Sequence, residues 1–139
     1  MLPLMFLPYR RFFDFGGRSR RREFWSFWLF NVVVYVGLLA LFGQQTAMVR
    51  PGMVSYETHL TGMWETVGDT FILINLIPFL AVSVRRLHDQ DRSGWLMLLG
   101  LIPVLGWFAL FVLCLLDGNP GENRYGPDPK KPWDAEVFR

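Results

Sequence analysis

The sequence predicts an all-α membrane protein: a small polytopic helical bundle with three hydrophobic segments and a basic head at the membrane surface. Charged residues avoid three long windows and crowd the gaps between them. Six Trp and thirteen Phe supply the interfacial anchors that such a chain needs. Arg85-Arg86-Leu87-His88-Asp89 packs three formal charges between the apolar stretches 70–84 and 94–116. That placement fits a bilayer edge, where arginine meets lipid phosphate and the flanking chain sinks into hydrocarbon. A soluble domain of 139 residues would bury one stripe of each helix, not its whole circumference.

Residues 1–23 form the head. Arg10, Arg11, Arg18, Arg20, Arg21 and Arg22 lie there among Phe12, Phe13 and Phe15, a mixture suited to the headgroup plane. Pro3, Pro8, Gly16 and Gly17 oppose one continuous helix. The apolar start precedes the arginines instead of following them, so it is read as mature sequence and not as a signal peptide. Residues 24–42 are the clearest span, uncharged and about 28 Å long as a helix, with an aromatic collar from Phe24 to Phe30. Residues 43–62 read as a polar connector with Pro51-Gly52 near its middle, and Met63-Trp64 as the start of a short interfacial piece. The second span covers 67–84, with Asp69 near the outer surface and a kink expected at Pro78.

The third run, 94–116, is uncharged but interrupted by Pro103 and Gly106. A single tilted, kinked span is the simpler reading. A re-entrant hairpin turning at Pro103-Val104-Leu105-Gly106 is the rival. The polar tail 117–139 reads as turns and extended chain. Together these pieces make one membrane domain. Its single cysteine, Cys114, lies in the third run and is a small packing residue.

Lys and Arg are retained on the cytoplasmic side, so they set orientation. Three full spans put nine basic residues inside and five outside; a re-entrant third segment puts thirteen inside and one outside. Both place the N-terminus and the loop after span two in the cytoplasm. The second division fits the charge rule better, whereas an unpaired backbone turn needs protein cover that a small bundle scarcely offers. Three spans are preferred on that ground.

The candidate site residues are Arg18, Arg20, Arg21, Glu23, Arg85, Arg86, His88, Asp89 and Arg92. They could hold an anionic lipid headgroup or form inter-helix ion pairs. Arg20, one turn back, or Arg85 or Arg86 could pair Glu23, and Arg20 or Arg21 could pair Asp89. His88, Asp89 and Asp91 raise a metal or acid–base hypothesis, but no second ligand in the spans completes it, and neither catalytic nor metal residues are assigned. Asp91 and Ser93 suit the N-cap of the third helix. Asn31 and Asn75 lie at depths within about 3 Å of each other, which predicts an inter-helix hydrogen bond. No nucleotide-binding, hydrolase or paired-cysteine motif is present, so no cofactor is expected.

Three signatures stand in order: Gly17-Arg18-x-x-Arg21-x-Glu23-Phe24-Trp25; Arg85-Arg86-Leu87-His88-Asp89-x-x-Arg92-Ser93-Gly94-Trp95; and Gly121-Glu122-Asn123-Arg124-Tyr125-Gly126-Pro127-Asp128-Pro129. Together they resemble the bacterial inner-membrane family catalogued as domain of unknown function 805, over residues 10–130. The resemblance implies a small multi-pass protein of the bacterial cytoplasmic membrane and no reaction. It also marks Asn123, Arg124, Tyr125 and Gly126 as a tail signature. The apolar, Pro-containing start before Tyr9 departs from the family pattern. Convergence of the three signatures on one surface would favour the re-entrant geometry.

The first functional reading is non-catalytic: a membrane module that binds anionic lipid or packs on a larger membrane complex as an accessory subunit. Its partners are then lipid, a membrane complex or further copies of itself, and not nucleic acid. An oligomeric transporter or pore is the alternative, although between the interfaces the spans carry only Asn31 and Asn75 as strongly polar groups. The last alternative is a lipid-headgroup enzyme using His88 and Asp89.

Overall fold

Helix formation in the computed structural model, which describes residues 2–130, follows the apolar runs. The order is α1 (Leu2–Arg10), α2 (Arg21–Phe42), β1 (Gln44–Arg50), β2 (Met53–His59), α3 (Met63–His88), a 3-10 helix (Gly94–Leu101) and α4 (Leu105–Leu115). At about 1.5 Å per residue, α2 and α3 extend roughly 33 and 39 Å, and both are long and apolar enough to cross a membrane. The chain is thus mostly helical, but it is not all-α.

The correction is at residues 44–59, where β1 and β2 pair antiparallel from Gln44↔His59 to Arg50↔Met53. Pro51 and Gly52 form the two-residue turn. Proline pre-sets the first central position, and Gly52, at φ 80°, supplies the left-handed second one. Every residue of β2 is exposed, so no buried face imposed an alternating apolar pattern on it. Met63 begins α3 itself, not a separate interfacial piece, and α3 continues through Pro78 to His88.

The chain packs as two units: Met1–Trp28 with Ile77–Arg139, and Leu29–Leu76. In the second unit, α2 and α3 run antiparallel. The Phe42 and Trp64 rings stack with centroids 3.5 Å apart, and a Cβ on Gly68 would lie 3.8 Å from the Tyr35 ring. Asn75 donates to the Phe71 carbonyl of its own helix at 2.7 Å.

The first unit holds an apolar core of Phe24, Phe27, Val82 and Cys114, edged by Tyr9, Trp25 and Phe79. α1 includes Pro8, which is fully buried, and ends at Arg10; the last three residues of the head, 21–23, already belong to α2.

The third apolar run is not a single kinked helix. Its 3-10 arm and its α arm each extend only about 16 Å. The chain reverses between them: Trp107 Nε1 donates to the Gly100 carbonyl at 2.9 Å, and a Cβ on Gly106 would overlap the Leu99 carbonyl. Val104 sits in the left-handed region at φ 64°, a costly conformation for a β-branched residue. At the start of the run, Ser93 caps the 3-10 helix by accepting from Trp95 N, and Gly94 packs against Val84 and His88. At its end, the Leu116 carbonyl accepts from Arg86. Both ends therefore return to the last turn of α3.

Candidate functional site

The final turn of α3 presents Arg85, Arg86 and His88, and Asp89 follows directly. Both arginines are 0% exposed, and Asp89 is 2% exposed. Charges at that depth require partners, and the first and third signatures supply them.

Residues 18–20 run beside α3, tied by Ser19 N donating to the Arg85 carbonyl at 3.1 Å. This delivers Arg18, whose Nε meets Asp89 Oδ1 at 2.9 Å. Its other nitrogens donate to the carbonyls of Gly121 and Asn119, each at 2.5 Å. The second oxygen of Asp89 accepts from Arg86 at 2.5 Å. Asp89 thus pairs with Arg18 and Arg86, not with Arg20 or Arg21. Arg86 lies one helical turn back, and the Ser19 tie brings in Arg18. For Glu23 the partner is Arg85, with Arg85 NH2 3.2 Å from Oε1; Arg85 also donates to the Asp14 carbonyl at 2.6 Å. Asp14 is held by Arg11 at 2.6 Å. Burial pushes its carboxyl pKa up, but the Arg11 hydrogen bond, the Gly16 N–H and the nearby Arg11 and Arg85 charges hold it below the usual range.

The same side chains close the C-terminus of α4. An α-helix leaves its last carbonyls without intrahelical donors. Here Gln90 Nε2 donates to Leu113 O at 2.5 Å, and Arg86 Nε and Trp25 Nε1 donate to Cys114 O, each at 3.3 Å. Arg21 donates to Leu115 O at 3.0 Å, and Arg86 NH2 donates to Leu116 O. Cations at a helix C-terminus also complement its dipole.

The tail then crosses the site. Asn119 N donates to the Asp89 carbonyl at 2.8 Å, and Gly118 lies so close that any Cβ there would overlap the Asp89 carboxylate. Asn123 and Gly126 close a tight turn by a pair of backbone bonds. From it, Asn123 Nδ2 donates to the His88 carbonyl at 2.9 Å, and the Tyr125 ring stacks on His88 at 3.7 Å and 5°. Arg124 lies over the Tyr125 ring and pairs with Asp91 at 3.0 Å. His88 Nδ1 approaches the Gly17 carbonyl at 3.2 Å. Exposed Asp117 receives Arg21 at 2.9 Å and Lys130 at 3.2 Å. The Lys130 hydrogen bond holds its pKa below the usual carboxylate value, and Arg21 assists.

All three signatures therefore meet. Arg18, Arg85, Arg86, Glu23 and Asp89 are buried and mutually paired, whereas Arg20 is half-buried and Arg92 exposed, neither with an ion pair among the described residues. Sequence reasoning missed Gly118, Gln90 and the carbonyls of residues 113–116. Gly118, directly after the third apolar run, was the one visible signal. Among the described residues, no group of three His, Cys, Asp or Glu side chains is placed to hold a metal. Lys131 and Arg139, counted in the charge balance of the tail, lie outside the described residues.

A family model described as Protein of unknown function (DUF805) matches residues 12–127. Inner membrane protein YhaH of Escherichia coli (strain K12) is 39% identical over 121 residues, covering 87% of this chain and 91% of YhaH. Inner membrane protein YhaI of the same strain is 35% identical over 123 residues, covering 87% and 90%. Uncharacterized protein YiiR is 31% identical over 142 residues, covering 84% and 86%. No solved structure matches the chain. The matched span runs from the basic head to the tail turn that closes on His88, and the chain belongs to the DUF805 family of inner-membrane proteins.

Proposed function

We propose that the protein is a non-catalytic membrane module with two spanning helices, α2 and α3, and a third segment that enters and leaves from the cytoplasmic side. It binds anionic lipid and serves as an accessory subunit of a larger membrane assembly. The observation that carries this reading is the burial and mutual pairing of the signature charges. Both oxygens of Asp89 are taken by guanidinium groups, so no free base remains there for headgroup chemistry. The His88 ring is stacked on Tyr125, with Nδ1 near a carbonyl. These groups hold the fold together.

The topology draws support from the return of both ends of the third segment to the last turn of α3, Gly94 to Val84 and His88 and Leu116 to Arg86. With head, α3 end and tail on one side, thirteen basic residues face the cytoplasm and one, Arg50, faces outward, in line with the charge rule. Lipid contact then falls to Arg10, Arg20, Arg22 and Arg92, which have no ion pair among the described residues. Each arginine near an anionic surface contributes about 1 kcal/mol of attraction.

Two measurements test this reading. A fluorescent reporter fused after residue 139 should be bright in the cytoplasm, and alkaline phosphatase fused there should be inactive; the reverse result would refute the topology. Replacing Arg10, Arg20, Arg22 and Arg92 by Gln should sharply reduce the enrichment of phosphatidylglycerol around the purified protein without altering its unfolding. Unchanged enrichment would refute the lipid role.

A further inference from the structure

An aromatic cavity of about 310 Å³ opens in the first unit between α2, α3 and the two arms of the third segment. We infer that it holds one acyl chain of an anionic phospholipid, whose headgroup sits at Arg21. This rests on the membrane reading above and adds a defined site to it.

The cavity wall presents hydrocarbon. Three of its polar groups are taken up by backbone carbonyls: Trp25 Nε1 donates to the Cys114 carbonyl at 3.3 Å, Trp107 Nε1 to Gly100 O at 2.9 Å, and Ser83 Oγ to Phe79 O at 2.6 Å. A void worth about ten waters and lined mainly by aromatic and aliphatic carbon does not hold water well, and acyl chain is the apolar material at that depth. The wall is also built. Trp25 meets Trp28 edge-on at 5.5 Å and Phe111 at 5.4 Å, so neighbouring aromatics fix the rings around the space.

The headgroup assignment comes from charge at the mouth. Arg21 lies four residues before Trp25 and seven before Trp28, on one stripe of α2. Its exposed guanidinium pairs with Asp117, which Lys130 also reaches. Two cations around one carboxylate leave net positive charge one helical turn from the cavity. A phosphate headgroup lacking a counter-charge of its own complements that mouth; a zwitterionic one does so less.

The test uses the full chain in phosphatidylethanolamine nanodiscs doped with phosphatidylglycerol carrying a mid-chain diazirine. The same acyl chain on phosphatidylcholine is the comparison probe. Adducts mapped by mass spectrometry should fall on residues 79–83 and 107–111, one lipid per chain. Labelling by the glycerol probe should exceed that by the choline probe about fivefold, and Arg21→Gln should erase the difference. Filling the cavity from either wall, by Ser83→Phe or by Leu110→Trp, should remove the adducts while trypsin resistance of the tail reports an intact fold. Adducts that survive both filling variants overturn the proposal, as do equal labelling by the two probes and adducts that fall outside residues 79–83 and 107–111. Loss of bulk phosphatidylglycerol enrichment in the Arg10, Arg20, Arg22 and Arg92 variant is a separate readout, so failure of the broader lipid reading is distinguishable from failure of the cavity site.

Discussion

Asp89→Ala is the sharpest perturbation of the charge network. Asp89 is the shared partner of Arg18 at 2.9 Å and Arg86 at 2.5 Å, and all three are nearly or wholly buried. Removing the carboxylate leaves two guanidinium groups in a dry site. Breaking a buried ion pair by deleting one partner costs about 3–5 kcal/mol. Two arginines are orphaned here, but each keeps carbonyl acceptors: Gly121 and Asn119 for Arg18, Cys114 and Leu116 for Arg86. The expected cost therefore stays within that range and does not double. At about 1.4 kcal/mol per tenfold, the tail should open roughly two to four orders of magnitude more often. Trypsin cleavage after Arg124 reads this directly, because when opening is fast relative to cutting the rate follows the open population. Asp89→Asn should fall between wild type and Asp89→Ala, since an amide oxygen still accepts one bond. If Asp89→Ala were cleaved at the wild-type rate in detergent at neutral pH, the buried pairs would not be what holds the tail.

Two further outcomes follow from other parts of the molecule. Around Asp117, the Lys130 bond and Arg21 favour the ionised form, so this tie is fully present above the ordinary carboxylate pKa of 3.8 and is lost as pH falls through its lowered value; carboxyl-carbon NMR should place the Asp117 midpoint below 3.8, and Lys130→Ala should raise it. In the second unit, the Tyr35–Gly68 and Phe42–Trp64 contacts set an antiparallel register that brings position 31 within about a turn of position 75; cysteines at 31 and 75 in a Cys114→Ser background should form a disulfide, and failure to do so would remove the proposed Asn31–Asn75 bond.

The long helices were legible because nothing else explains uncharged runs of such length. The ends beside the head and the charged loop were legible to within about a turn: charge resumes at Glu23 and Arg85, which bounds the expected spans at 24 and 84, whereas α2 starts at Arg21 and α3 runs to His88. The hairpin was not. Its strands are exposed on both faces, so Met53 to His59 carry no alternation, and Pro51-Gly52 showed a turn without showing what it joined. The third segment leaves two readings open: its 23 uncharged residues match one span, Pro103 to Gly106 mark the rival turn, and three spans are preferred because an unpaired turn needs protein cover. The chain reverses at that turn with Val104 at φ 64°, which no sequence rule for a β-branched residue anticipates. Among the charges, type and neighbourhood were readable but pairing was not. Arg18 and Arg20 look equivalent in the head. They differ because Ser19 N anchors to the Arg85 carbonyl and swings Arg18 onto Asp89, while the Arg20 carbonyl accepts the Phe24 N–H at the start of α2.

The choice of arginine for this junction has a physical reason in the bilayer. Apolar packing distinguishes folded from unfolded in water, but in lipid an apolar helix face is equally at home against acyl chains. A helix that ends at the membrane edge also exposes carbonyls that hydrocarbon cannot satisfy. In the proposed topology the α4 terminus meets both conditions at once, and the carbonyls of Leu113, Cys114, Leu115 and Leu116 each receive a side-chain donor from Gln90, Arg86, Trp25 or Arg21. Arginine serves well because its planar fork carries five donors: Arg86 reaches Cys114, Leu116 and Asp89 together, which a lysine point charge could not do with the same geometry. Asp89 then balances charge that the carbonyls only partly offset, and Arg18 extends the network to the tail. Buried ion pairs are weak evidence for stability in soluble cores, where apolar replacements often do as well. Here apolar replacement of Arg21 and Arg86 would leave the Leu115 and Leu116 carbonyls without side-chain donors, while Gln90 and Trp25 would still serve Leu113 and Cys114, so the charge network specifies where the third segment must end.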